Sequence, residues 1–397
     1  MSNPIKIAII LPSVFPVPAT KGGAIEMLVE FLVEENERNT NNNVVFVIYS
    51  AYEKEAVNKS KNYTKSTFFW IYYNSFLYKF INFFIRAARK ILKIKLYNLE
   101  VLLAVLNIKR HAIKHIVIQG NTYYLEGISY YLGKFTSILH VHANIFDKLS
   151  PQNVYIASLC KKIINVSSFI KNEVVLNTQF DSQKAYVVMN GIPTPSRKGI
   201  YNRRSFDFNE QDIVITFVGR ITRSKGIIEL INAFKTINND NAKLLIAGSF
   251  GSNFNFGDND EHFRKEVENL CVEISNKVVF TGYISNQNIG DIYELSDIVV
   301  VPSLCEEAAG LVVIEALHCG KPLIVSAIGG IPEYVSSKNA IFINKSGCFV
   351  QDLSNALLKL IENEELRNIM SNEAKKYSKY YTSQVFYDNF INAVLSE

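Results

Sequence analysis

Short aliphatic runs recur along the chain, each followed by a stretch whose apolar positions fall three and four apart. Ile5 to Leu11 is the first such run, closed by the loop PSVFPVPATKGGAIE and followed by an amphipathic pattern from about Ala24 to Glu35. A run apolar at every position is a strand buried on both faces, and strand, glycine loop and helix open a doubly wound α/β unit. Further strands are predicted at 44–49, 115–120, 137–143, 161–167 and 184–191. The pattern then starts again: IVITFVGRITRSKG gives a second strand and glycine turn, IIELINAFKTI a helix, and AKLLIAG, KVVFTG, DIVVVPS, KPLIVSA and NAIFIN the strands that follow. The spacing predicts two Rossmann-like α/β domains facing one another across a cleft, 1–195 and 196–379. The loosely charged stretch PTPSRKGIYNRRSFDFNEQD separates them. Aromatic and aliphatic residues at helical spacing over Ser383–Leu395 predict a last helix, within about 380–397, with packing across either domain open and a return to the first among the options.

Size agrees with two cores. The chain has 397 residues, 48% hydrophobic and 20% charged, and a single core seldom grows past about 250 to 300 residues. The five cysteines, Cys160, Cys271, Cys305, Cys319 and Cys348, are scattered and form no Cys-x-x-Cys, which signals neither a disulfide framework nor a zinc site and predicts a reducing cytosol. The opening MSNPIKIAIILPSVFPVP reads as a buried strand, not a cleavable export signal. No uncharged run reaches the roughly 18 residues a membrane span needs, so the expected location is cytoplasmic. Net charge is +5, unevenly divided: residues 1–195 carry 22 basic against 12 acidic side chains, and the remainder 20 against 25. The front half is expected to face something anionic.

One segment breaks the alternation. Residues 68–95, FFWIYYNSFLYKFINFFIRAARKILKIK, are dense in aromatics and then in bases, and on a helix Lys79, Arg86, Lys90 and Lys93 share a face opposite Leu77, Phe80, Ile81, Phe84 and Ile91. It is either a core-packed helix with solvated lysines or an interfacial helix pairing its bases with anionic lipid. The positive first half favours the second reading and an inner-membrane location. Nucleic acid is not expected, since no recognition module accompanies the charge.

The segment richest in chemistry is VPSLCEEAAGLVVIEALHCGKPLIVSAIGGIPEYV, 301–335. A strand ends at Pro302, the carboxylates Glu306 and Glu307 follow, then Ala308, Ala309 and Gly310, then a helix carrying Glu315. Small residues before a helix let a phosphate approach the backbone N–H groups, which the helix dipole also favours. Glu315, inside the helix, is placed to accept both hydroxyls of a ribose, and Glu307 to address the other end of the same ligand.

Glu307 and Glu315 match the Glu-x7-Glu motif, and the chain resembles the retaining nucleotide-sugar glycosyltransferases of family 4, the "group 1" transferases with the GT-B fold. The loops PATKGGAIE, FVGRITRSKG and GGIPEYV resemble that family in the same order. The resemblance implies that Glu307 binds donor-sugar hydroxyls, Glu315 the nucleotide ribose, and the backbone near Gly310 and Leu311 the diphosphate. It implies that Arg220 and Lys225 neutralise the leaving phosphate, that Gly22 and Gly23 lie over the donor, and that the base is read near Tyr283. His142, with His140 as its rival, resembles the family's histidine near the reacting sugar. Ala309 stands where the family commonly has an aromatic, a change that reshapes the donor-sugar pocket.

The resemblance further implies transfer with retention from a UDP-type donor to a glycan or lipid-diphosphate-linked acceptor in bacterial capsule, exopolysaccharide or cell-wall synthesis, with no metal or other cofactor. Asp258 and Asp260 form a DxD in an acidic loop away from the matched motifs and are not expected to bind metal. The rival readings are a non-catalytic partner of the same fold that binds glycan or stabilises another transferase, and an epimerase or phosphorylase of this architecture.

Overall fold

A computed structural model describes residues 4–12, 15–40, 43–133, 136–251, 261–345 and 347–396. The chain falls into two compact units, Met1–Gly191 with Ser383–Glu397, and Ile192–Thr382.

The first unit begins with β1 (Ile5–Ile10), α1 (Ala24–Arg38), β2 (Val44–Ala51), α2 (Lys54–Ser60), β3 (Ser66–Ile71), α3 (Phe76–Leu92) and α4 (Leu99–Arg110). It continues through β4 (His115–Gln119), α5 (Thr122–Leu132), β5 (Ser137–Val141), α6 (Pro151–Ala157), β6 (Cys160–Asn165), α7 (Ser168–Thr178) and β7 (Ala185–Val187). The second unit starts with β8 (Ile213–Val218), α8 (Ile227–Lys235), β9 (Ala242–Ala247), α9 (Glu261–Cys271), β10 (Val278–Gly282) and α10 (Ile289–Leu295). There follow β11 (Ile298–Val301), α11 (Leu311–His318), β12 (Leu323–Ser326), β13 (Ala340–Ile343), α12 (Phe349–Glu362) and α13 (Glu364–Ser378), and α14 (Ser383–Leu395) returns to the first unit.

Both sheets are parallel and wound alike, β3-β2-β1-β4-β5-β6-β7 in the first unit and β10-β9-β8-β11-β12-β13 in the second. The aliphatic runs form the strands because helices cover both sheet faces: Ile7, Ala8 and Ile9 of β1 and Val299 and Val300 of β11 are fully buried. Chain direction across each sheet reverses beside its first strand, between β1 and β4 and between β8 and β11. The crevice at the carboxyl ends of such a pair is where doubly wound sheets bind ligands.

Residues 68–95 do not form one helix. Phe68–Ile71 belongs to β3, whose β-branched and aromatic residues pair in register with β2, Phe68 opposite Ile48. The helix starts only after Ser75, whose hydroxyl accepts the Tyr78 N–H. The core-packed alternative for this segment is overturned, because the aromatic face of α3 is turned away from the core.

Two long-range attachments complete the units. Buried Lys162 of β6 donates to the Ala393 carbonyl at 3.2 Å and to Ser396 Oγ at 2.7 Å, a cation at the carboxyl end of α14. At the other end of that helix Ser383 Oγ donates to Glu35 and Tyr387 to Asn36 on α1, each at 2.7 Å. In the second unit the loosely charged stretch that separates the two patterns is strapped down. The Asp291 carboxylate accepts the N–H groups of Lys198, Gly199, Ile200 and Tyr201 at 2.7–3.2 Å.

Candidate active site

In the second unit the crevice between β8 and β11 collects the expected chemistry. The chain leaves β8 at Gly219 and Arg220, turns through Arg223–Lys225 and enters α8 at Gly226. Gly226 has φ 71°, and a Cβ there would stand 1.9 Å from the Pro302 carbonyl oxygen, so the turn needs glycine and lies directly on the loop leaving β11. Leu304 N–H donates to the Ser224 carbonyl at 2.8 Å, fixing the same two loops together. Across this contact Lys225 Nζ meets Glu307 Oε2 at 2.8 Å, with both side chains largely withdrawn from solvent.

The other Glu307 carboxylate oxygen accepts a hydrogen bond from Ser303. The backbone of Glu307 is fixed by the GGIPEYV loop: Gly330 N–H donates to its carbonyl at 2.7 Å, and a Cβ on Gly329, φ 58°, would come within 2.4 Å of that oxygen. Lys225 and Glu307 are thus held from both side chain and backbone.

Gly226 and Gly310 are the N-cap residues of α8 and α11, and neither helix has a side-chain cap. Two uncapped helix N-termini beside a lysine make a strong site for an anion. Glu315, one turn into α11, accepts a hydrogen bond from the fully buried Tyr293 at 2.6 Å. Burial pushes its carboxyl up to about 7, while the Tyr293 hydrogen bond pulls the other way. Tyr293 occupies one oxygen and thereby aims the carboxylate.

Arg220 is exposed at the end of β8, Ala309 and Leu311 border the entry to α11, and Tyr283 lies 69% exposed just beyond β10. Tyr283 is not drawn into the hydrogen-bonded cluster around Glu307. Asp258 and Asp260 lie outside the described residues, and among those described no cluster of three or more His, Cys, Asp or Glu is arranged to hold a metal ion.

In the first unit the loop after β1 carries a buried carboxyl, Glu26, and the ends of β4 and β5 carry an amide and two imidazoles. Gly22 and Gly23 have φ 81° and 97°, and a Cβ on Gly23 would collide with the buried Glu26 carboxylate, at 2.2 Å from Oε2. His142 follows β5 and its Nε2 meets Gln119 Oε1, at the end of β4, at 2.7 Å. His140 lies deeper, its ring 4.1 Å from that of His142 and 5.7 Å from that of Phe390 on α14. Burial holds the His142 imidazole down to about 3, and burial with the neighbouring ring holds His140 well below the ordinary histidine range. Both are neutral at physiological pH. Of the two, His142 stands nearer the open end of the sheet, just past the end of β5.

Three contributors were absent from the sequence reading: Tyr293 behind Glu315, Ser303 beneath Glu307, and the backbone contact that explains the paired glycines Gly329 and Gly330. The last was visible as a motif; Tyr293 carries no local signal because it lies 22 positions from Glu315, whereas Ser303 stands four before Glu307 and reaches it within one loop.

Residues 201–377 match the family described as glycosyl transferases group 1. An uncharacterized glycosyltransferase of Methanocaldococcus jannaschii is 33% identical over 234 residues, 55% of this chain and 56% of that protein. The lipopolysaccharide 1,2-N-acetylglucosaminetransferase of Salmonella typhimurium is 28% identical over 264 residues, 64% of this chain and 66% of that one. The chain therefore spans less than two thirds of the length of these curated relatives. Among solved structures, a glycosyltransferase of Rickettsia africae superposes with a TM-score of 0.76 at 16% identity, covering all of both chains. The Anabaena HepE protein in complex with UDP and glucose superposes at 0.72 and 17%, covering 99% of this chain and 100% of that one. The sheets have the GT-B pattern of these neighbours, and the second unit, over residues 201–377, is similar to the glycosyl transferases group 1 family.

Proposed function

We propose that the protein is a retaining glycosyltransferase that moves a sugar from a UDP-type nucleotide donor to a glycan or lipid-diphosphate-linked acceptor. The observation that carries this reading is the Lys225–Glu307 pair set between two uncapped helix N-termini. A lysine and helix amides suit a diphosphate, and a carboxylate beside them suits the hydroxyls of the attached sugar. Glu315, aimed by Tyr293, accepts the ribose hydroxyls. The UDP complex of the Anabaena neighbour and the sugar-transferring relative from Salmonella support the same choice of donor class.

In this mechanism the donor C1–O bond lengthens toward an oxocarbenium-like state while Arg220, Lys225 and the helix N-termini take up the negative charge growing on the departing diphosphate. The acceptor oxygen attacks C1 from the face the diphosphate leaves, and its proton passes to a leaving phosphate oxygen, so the configuration at C1 is kept. His142, neutral, orients a hydroxyl and does not take its proton. These groups offer the departing diphosphate positive charge and hydrogen-bond donors, and this reading calls for no metal. We place the enzyme on the cytoplasmic face of the membrane, in bacterial surface- or cell-wall-glycan synthesis, a reading supported by the basic excess of its first unit.

The test is a screen of nucleotide sugars for binding, slow hydrolysis and transfer, with the anomeric coupling constant of the product read by NMR. A UDP-sugar should bind and give a product of unchanged anomeric configuration, and a chelator should leave turnover unchanged. Absence of nucleotide-sugar binding would instead make the chain a non-catalytic partner.

A further inference from the structure

Helix α3 faces the wrong way for a helix that serves the core. Its inward positions are Asn82 and Ile85, both buried. Asn82 Oδ1 accepts the Leu99 N–H at 2.8 Å and Tyr78 donates to Glu100 at 2.6 Å, so the inner side is held on α4 by polar contacts. The outer side carries Phe76, Phe80, Phe83, Phe84 and Ile91, which are 82%, 49%, 65%, 53% and 76% exposed. At 3.6 residues per turn these five share one sector opposite Asn82 and Ile85. Their rings touch in series, 5.8 Å from Phe76 to Phe80, 4.8 Å from Phe80 to Phe84 and 5.6 Å from Phe83 to Phe84, so the surface is continuous. A continuous exposed apolar surface of this kind marks an interaction site.

Charge selects the occupant. Lys79, Arg86 and Lys90 are exposed along one flank of the aromatic stripe, and Lys93 continues the row beyond the helix end. From Phe68 to Lys95 there are six basic residues and no acidic one. Glu100 and Glu126, on the adjoining elements, are engaged by Tyr78 and Lys95. A second copy meeting this face with its own would bring bases against bases with no acid on the segment to pair them, whereas an anionic lipid surface pairs the whole row and receives the rings at headgroup depth. Among the described residues no helix is long and apolar enough to cross a membrane, so α3 would lie along the surface.

We propose that α3 is an interfacial docking helix that seats the first unit on an anionic lipid bilayer, with its aromatic face at the acyl boundary and its bases among the headgroups. This deepens the proposed function by naming the surface on which a lipid-linked acceptor is met.

The full chain is sedimented with phosphatidylcholine vesicles with and without phosphatidylglycerol, and UDP binding is titrated separately. Binding to the phosphatidylglycerol vesicles, weak binding to phosphatidylcholine alone and release by high salt are expected. Lys79→Gln and Lys90→Gln should each weaken vesicle binding about fivefold. Phe83→Ser with Phe84→Ser should weaken it by more than about tenfold, with UDP binding unchanged as the sign of an intact fold. The proposal is overturned if wild type ignores phosphatidylglycerol. It is also overturned if the variants bind both UDP and vesicles like wild type, or if the Phe substitutions abolish a dimer that has no affinity for vesicles. Failure of wild type to bind UDP would sink the donor reading and leave the vesicle result standing.

Discussion

The two crevices occupy equivalent places in sheets of the same winding, yet they are furnished oppositely. In the second unit charged groups are paired and fixed: Lys225 on Glu307, Glu307 on Ser303 and the Gly329–Gly330 backbone, Glu315 on Tyr293. In the first unit, Glu26 apart, the groups at the ends of β4, β5 and β6 are amides and imidazoles, several with buried atoms that lack a partner. Gln119 Nε2, His142 Nδ1, both ring nitrogens of His140 and Asn165 Oδ1 are buried without a partner. A paired charge cluster is preorganised for a ligand that brings charge of its own, such as a diphosphate. Two sheets of one winding thus carry different chemistry, set by the side chains at the strand ends and not by topology.

The sharpest way to break the comparison is at the charged pair. Lys225→Ala or Glu307→Ala should lower kcat for transfer by about a hundred- to a thousandfold. The double variant should be little worse than the poorer single one, because the two act as a unit. Strictly multiplicative losses in kcat would show them to be independent.

A smaller effect comes from protons. Burial raises both Glu26 and Glu315 to about 7, so the folded chain keeps protons there that the unfolded chain releases in the ordinary carboxylate range. Their contribution to stability is therefore lost as pH rises from that range through about 7. Thermal melts of Glu315→Gln should gain on wild type at pH 8 and not at pH 5. Donor binding runs in the opposite sense, since the ribose hydroxyls call for the carboxylate. The Kd of a UDP-sugar should tighten about tenfold between pH 6 and pH 8, and Glu315→Gln should flatten that profile.

Tyr293→Phe removes the hydrogen bond that aims Glu315. Donor affinity should fall about tenfold and the midpoint of the pH profile should move upward, because the lost bond had favoured the carboxylate. A drop in affinity without the shift would mean that Tyr293 serves packing alone. In the first unit the effect should be least. His142→Ala should raise the acceptor KM about fivefold with donor Kd unchanged, and the ratio to wild type should stay level from pH 6 to pH 8, since the imidazole is neutral throughout.

Much of the architecture could be read from hydrophobic periodicity. A strand buried on both faces must be apolar throughout, which made Ile5–Ile10 and Ile298–Val301 legible, and Ser383–Leu395 showed its helical spacing despite lying far from the sheet it covers. Lys225, Glu307 and Glu315 were legible as residue types at a loop and helix start. Phe68–Ile71 misled because an aromatic run next to an amphipathic helix has no internal marker for where extended backbone ends; Ser75, which supplies the cap, acts only once the helix has formed.

The pattern along the chain determined most of its strands and helices, because backbone sterics and the burial of apolar side chains act over a few residues. The tertiary structure alone decided that Lys225 reaches Glu307, that Tyr293 backs Glu315, and that the aromatic face of α3 points outward. Each depends on which element lies alongside, and strand order brings together residues more than twenty positions apart in the chain, as with Tyr293 and Glu315. An amphipathic pattern specifies that a face is apolar; only the packing of its neighbours specifies whether that face meets a core or is left for another surface.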